Sequence, residues 1–216
     1  KVLQEHLKPV ERIALQRRWE GPRPEWHTEV IEGKIAGLVA DCEIDHSVKP
    51  SLTFTGGREA AEKHLHRFLT ARLRRYGEER NSPSNHATSG LSPYLHFGQI
   101  SALEVALAAE GYAAEKGVSA AEFLEELIVR RELAFNFARF SRRVDSLDVL
   151  PEWVQVTLRK HANDHRQYLY TPDHFEWGRT HDPLWNACQQ EMLLRGKIHG
   201  YYRMYWGKKI MEWSPS

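Results

Sequence analysis

The feature that most constrains this chain is a punctuation that starts at Gly57 and runs on toward its end: apolar positions at helical spacing, set between residues that start and stop helices. In GGREAAEKHLHRFLTARLRRYGEER, Leu65, Phe68, Leu69, Leu73 and Tyr76 fall at i, i+3, i+4, i+8 and i+11. That is the stripe of an amphipathic helix burying one face. Arg72, Arg74 and Arg75 toward its end suit the negative pole of the helix. Ser92 before Pro93 reads as an N-cap with proline at the first helical position, and Gly98 as its stop. Ser101 with Glu104, and Ser119 with Glu122, have capping-box spacing. The second pair precedes AEFLEELIVRRELAFNFARF, a helix of about five turns. Asp182-Pro183 starts another helix, and Gly196 separates two consecutive ones. Nowhere does alternation of period two persist long enough to build a sheet, so the expected fold class is all-α, a multi-helix bundle.

The first part reads differently. Residues 1–56 are an irregular, partly helical lead-in, broken by Pro9, by GPRP at 21–24 and by Pro50, with HTEVIEGKIAGLVADCEI either helical or extended. Residues 57–216 form the helical domain. At 216 residues the chain can bury a sizeable core, and its 30 Lys+Arg nearly balance 29 Asp+Glu. Net charge therefore does not force a nucleic-acid partner, although local arginine runs can make one face basic. Cys42 and Cys188 are far apart and in no metal-ligand spacing, and no signal peptide or spanning apolar run is present. These features suit a reducing compartment, and the expected location is cytoplasmic.

Three groups of residues carry chemistry. In TSGLSPYLHFGQIS, Thr88, Ser89 and Ser92 offer short hydroxyls, Gly90 allows close backbone approach, and amides at the helix start favour an anion. A phosphate cradle and a plain Ser-Pro cap both fit. Glu126 and Arg130 stand four apart in EELIVRREL, on one helix face, where they can pair in solvent. Trp206 and Trp213, seven apart, share a face about 10 Å apart along the axis, and Trp185 on the preceding helix meets them if the two helices pack. Aromatics at that spacing are by default core.

Taken together, TSGLSPYLHFGQIS, FLEELIVRREL, THDPLWNACQQEM and GKIHGYYRMYWGKKIMEW resemble the flavin-binding helical domain of the DNA photolyase/cryptochrome family, most closely the class II cyclobutane pyrimidine dimer photolyases. The similarity runs in register from about Tyr76 to Trp213. It implies FAD as cofactor, its diphosphate held at Thr88, Ser89, Gly90, Leu91 and Ser92, with Tyr76, Arg130 and Arg203 also at the flavin. It implies that Glu126, Met204 and Tyr201 face a pyrimidine dimer flipped out of UV-damaged DNA. Trp206, Trp185 and Trp213 match the chain that passes electrons to the flavin during photoreduction. The implied activity is light-dependent dimer repair. The other readings are a cryptochrome-like photoreceptor and a non-catalytic relative that holds no flavin. The family's α/β domain and its D-x-R-D-P-N-G-Y segment have no counterpart in this sequence, from which weak FAD binding is expected.

Overall fold

A computed structural model describes residues 35–215. The chain divides between Pro50 and Ser51 into two units. In the first, the described residues hold one short helix, α1 (Ile35–Ala40), where the sequence allowed helix or strand. The expectations for residues before 35 lie outside the described residues. Residues 51–56, which the sequence groups with the lead-in, belong to the second unit. Ser51 Oγ donates to the Arg195 carbonyl, and Leu52 N donates to Leu194 O at 3.2 Å.

Helices alone build the second unit among the described residues. They are α2 (Arg58–Ala71), α3 (Leu73–Glu79), α4 (Ser92–His96), α5 (Ala102–Lys116) and α6 (Ala121–Leu124), then, beyond a π-helical turn over Glu125–Arg130, α7 (Arg131–Phe140). After these come α8 (Glu152–Lys160), α9 (Pro172–Glu176), α10 (Pro183–Arg195) and α11 (Gly200–Trp213), so the all-α expectation holds.

The stripe read from sequence is core. Leu65, Phe68 and Leu73 are buried, Leu69 and Tyr76 pack against them, and Tyr94, Val105, Phe123 and Leu127 complete the cluster from α4, α5, α6 and the π turn. Phe68 is wholly buried, with its ring centroid 4.6 Å from that of Phe123. Burying one such side chain is worth about 1.5–3 kcal/mol. The expected single helix is nevertheless two. Arg72 has φ −129°, and its N–H bonds Phe68 O, ending α2 before Leu73 begins α3.

Helix ends follow the sequence in part. Asp182 caps α10 by accepting from Leu184 N (2.8 Å) and Trp185 N (3.3 Å), and Gly196 closes it in the left-handed region, φ 75°. Ser101 caps α5 through Leu103 N. Glu104 does not reach back to complete a box, because its carboxylate bonds Arg58 of α2. Ser119 Oγ accepts from Ala121 N, and Glu122 binds that hydroxyl rather than a backbone amide. Ser92 is not an N-cap. Leu91 O already accepts the first helical bond, from Leu95 N, so Leu91 holds that position and Ser92 lies within the first turn.

Candidate flavin cleft and tryptophan series

Four separated segments border a cleft of about 610 Å³, within the usual size range of ligand sites. Thr53 and Phe54 lead into the unit, His64 and Arg72 come from α2 and its end, and Pro83 to Gly90 form a turn. Glu191 to Tyr202 run from the last turn of α10 through the link into the start of α11. Of the residues expected to hold a cofactor, Thr88 and Gly90 line this cleft directly. Gly90 takes φ +72°, and a Cβ there would stand 3.5 Å from His64 Nδ1, so the turn needs glycine for its backbone rather than for space. The turn is pinned from outside by Arg72, whose Nη1 donates to Thr88 O at 3.0 Å.

The other expected residues are distributed less simply. Ser89 Oγ accepts from Leu91 N (3.3 Å), holding the turn's shape. Leu91 is wholly buried in the core, so only its backbone can meet a ligand. Ser92 Oγ accepts from Lys197 Nζ at 2.7 Å. Tyr76 packs edge-on against Phe68 and Phe123, with Arg80 5.7 Å from its ring centroid, and burial raises its phenol pKa.

Glu126 and Arg130 do not pair. Arg80 Nη1 donates to Glu126 Oε1 at 2.6 Å, while Arg130 Nε lies 3.5 Å from Glu125 Oε1. The π turn is the reason. Its i→i+5 period sets Arg130 over Glu125, where an α-helix would set it over Glu126. Arg203, Tyr201 and Met204 are exposed on α11.

The tryptophans are brought together. Trp185 stands between the other two, its ring centroid 5.4 Å from that of Trp206 and 5.8 Å from that of Trp213. Trp185 and Trp213 are each 2% exposed. Trp185 Nε1 donates to Phe175 O (3.1 Å). Tyr205 of α11 bonds the Asp182 carboxylate that caps α10, which fixes the two helices to each other. Tyr202, at the cleft wall, is four residues before Trp206 and so on the same face of α11.

Several cleft residues gave no sign in the sequence. Lys197, Arg195, Arg72, His64 and His199 all line it, with Glu191 as the one carboxylate of the lining among the described residues, 3.4 Å from Arg195. Two guanidinium groups and one ammonium thus line the cleft beside that carboxylate. Burial lowers the pKa of His64, Arg72, Lys197 and His199, and neighbouring cations lower each further. The sequence shows such groups only as dispersed single residues, because the fold gathers them from positions far apart. The surplus of positive charge beside a glycine turn suits an anionic ligand such as a diphosphate.

No protein-family profile matches the chain. Among curated proteins it is similar to deoxyribodipyrimidine photo-lyases. It is 49% identical over 176 residues to that of Methanothermobacter thermautotrophicus, covering 82% of this chain and 38% of the relative. It is 42% identical over 180 residues to that of Potorous tridactylus (83% and 34%). It is 43% identical over 224 residues to that of Oryza sativa subsp. japonica (99% and 42%). The chain thus spans roughly two fifths of these relatives' length or somewhat less. Two solved structures share the fold: a bacterial class III photolyase from Agrobacterium tumefaciens (TM-score 0.54, 21% identity, 74% of this chain and 32% of that one) and a cryptochrome from Synechocystis (0.54, 20%, 75% and 36%).

Proposed function

The chain belongs to the DNA photolyase/cryptochrome family, and from that premise we propose that its helical unit is the flavin-binding part of a deoxyribodipyrimidine photolyase, acting on UV-damaged DNA in the cytoplasm. Thr88, Gly90, Arg72 and Lys197 would hold the diphosphate of FAD. Bound there, FAD would supply the light-excited electron that splits the cyclobutane ring. The chain's own part is to orient that group, to exclude water from it, and to return electrons through Trp206, Trp185 and Trp213. Glu126, held by Arg80, would hydrogen-bond the flipped dimer, with Met204 and Tyr201 against the bases. Flipping costs less for a dimer than for an intact pair, because damaged bases stack poorly. No helix among the described residues is long and apolar enough to cross a membrane, and Cys42 and Cys188 are both free.

The observation that carries this reading is the contiguous series of three indoles that begins one helical turn from a cationic cleft. Core packing alone does not require that series to start beside a site for an anion. The test uses the purified chain with added FAD, an external electron donor and an oligonucleotide carrying a pyrimidine dimer. Uptake of flavin absorbance, reduction on illumination and dimer splitting are expected. Photoreduction without splitting would favour the photoreceptor reading, and a chain that takes up no FAD would defeat both.

A further inference from the structure

Trp213, the last indole of the series, borders a second cavity, of about 410 Å³. That size suits a small molecule. The lining is mixed in charge, with Arg166 and Lys209 as cations and Asp164, Asp182 and Glu212 as carboxylates. Most of these groups are engaged. Asp182 accepts from two amides and from Tyr205, Asp164 lies 2.8 Å from His161 Nδ1, and Lys209 Nζ donates to Glu212 at 2.8 Å. Arg166 is the exception. Its Nε is buried with no partner among the described residues, and its Nη2 meets the His161 carbonyl at 3.5 Å, the outer limit of a hydrogen bond. A buried guanidinium nitrogen left in this way calls for an oxygen from a ligand.

The position of the cavity says which kind of ligand. An electron lost from Trp206 is replaced from Trp185, and that of Trp185 from Trp213, so the deficit comes to rest beside the cavity. Trp213 is 2% exposed, which leaves bulk solvent little access to its ring. Lys209 lies 5.0 Å from the ring centroid and opposes a positive charge on the indole, so it strengthens the pull on an electron from a neighbouring donor.

We infer that this cavity seats a small monoanionic enediol reductant, of the ascorbate class, which returns the electron to Trp213. The redox role rests on the electron series of the flavin reading above. A simple anion such as phosphate would meet three carboxylates, whereas an enediolate suits the mixture. Its oxyanion accepts from Arg166, and its remaining hydroxyl donates to Glu212. In the step, one electron passes from the enediolate to the Trp213 radical cation and restores the neutral indole. The hydroxyl proton goes to the Glu212 carboxylate and on to water, and the reductant leaves as its radical anion.

The experiment compares the unsubstituted chain with Arg166→Gln and Arg166→Lys, the second keeping the charge. In the dark and without flavin, ascorbate should raise the melting temperature of the unsubstituted chain, raise that of Arg166→Lys less, and leave that of Arg166→Gln unmoved. Indole radicals are then generated twice, by illumination of the flavin-loaded chain and by an added photo-oxidant in the flavin-free chain, and their decay is followed by transient absorption. With rising ascorbate the decay rate should level off, as it does for a bound donor, while exposed indoles such as Trp153 and Trp177 add a linear phase to every variant. Arg166→Gln should show the linear phase alone and need about tenfold more ascorbate for the same rate. A melting temperature that ascorbate does not raise, a decay that stays linear in the unsubstituted chain, or an Arg166→Gln variant that matches it in both measurements would each overturn the inference. A chain that takes up no FAD defeats the flavin reading, and the two flavin-free measurements then still decide whether the seat exists.

Discussion

Trp185 holds its place between Trp206 and Trp213 through a hydrogen bond to Phe175 O and contact with the Phe175 ring, centroids 5.0 Å apart. It therefore has little freedom to leave the series. Trp206 is half-buried, and its Nε1 is buried with no partner among the described residues. Replacing this ring removes the first link without emptying the centre of the core. Trp206→Phe is expected to reduce stability by no more than about 1–2 kcal/mol and to suppress the indole radical that forms on illumination of the flavin-loaded chain. Chemical denaturation and transient absorption check the two parts separately. A radical signal as large and as fast as in the unsubstituted chain would remove Trp206 from the path. At the far end, Lys209 sits 5.0 Å from the Trp213 ring centroid and also bonds Glu212.

At the scale of helices, what was legible in the sequence depended on whether a local rule had a competitor. Asp182, Ser101 and Gly196 act as read, because nothing nearby offers their backbone partners a better bond. Glu104 fails its capping role because Arg58, 46 residues away, gives a charged partner that no local pattern announces. The π turn is likewise invisible: EELIVRREL satisfies a helical period, and the i→i+5 bonding shows only in the structure, where Phe123, Leu124 and Leu127 share the core. Beyond it, α7 exposes Leu133, Phe135, Phe137 and Phe140, residues that the same pattern would assign to an interior. The Asp182 cap can be tested directly. Burial disfavours its charge, but the Tyr205 hydroxyl and the Trp185 and Leu184 amides outweigh that and hold its carboxyl below the usual range. Asp182→Ala would lose the cap and orphan the Tyr205 hydroxyl, a destabilisation of about 2–3 kcal/mol. Asp182→Asn keeps an acceptor for the amides and should cost about half as much. Equal melting temperatures for the two variants would show that the cap contributes nothing.

Across the whole molecule, the core could be read from one stripe of five residues, whereas the cleft could be read only from Thr88 to Ser92. Cores need a period, and periods are local. A ligand site needs charges that converge from distant segments, and Lys197 or His64 in isolation resembles any surface cation. That convergence also sets a dependence on pH. His64 has its pKa lowered by burial and by Arg67 and Arg72. His199 is lowered by burial, Lys197 and His86, against opposing effects of the Arg80 backbone and Glu191. His199 Nδ1 also accepts from Tyr201 N and so caps α11, a bond that requires the neutral ring. With folded-state values below the ordinary 6.5, the unfolded chain takes up protons first as the medium acidifies. The stabilising effect of the neutral rings is complete above that value and declines as pH falls through it. Melting temperature is therefore expected to drop by a few degrees between about pH 7 and about pH 5. His64→Gln combined with His199→Asn should flatten that slope. Pyrophosphate should act in the opposite sense, because an anion among these groups favours their charged forms, so its binding strengthens as pH falls. A pyrophosphate affinity whose pH dependence is the same in the His64→Gln, His199→Asn variant as in the unsubstituted chain would show that the histidines do not face the ligand.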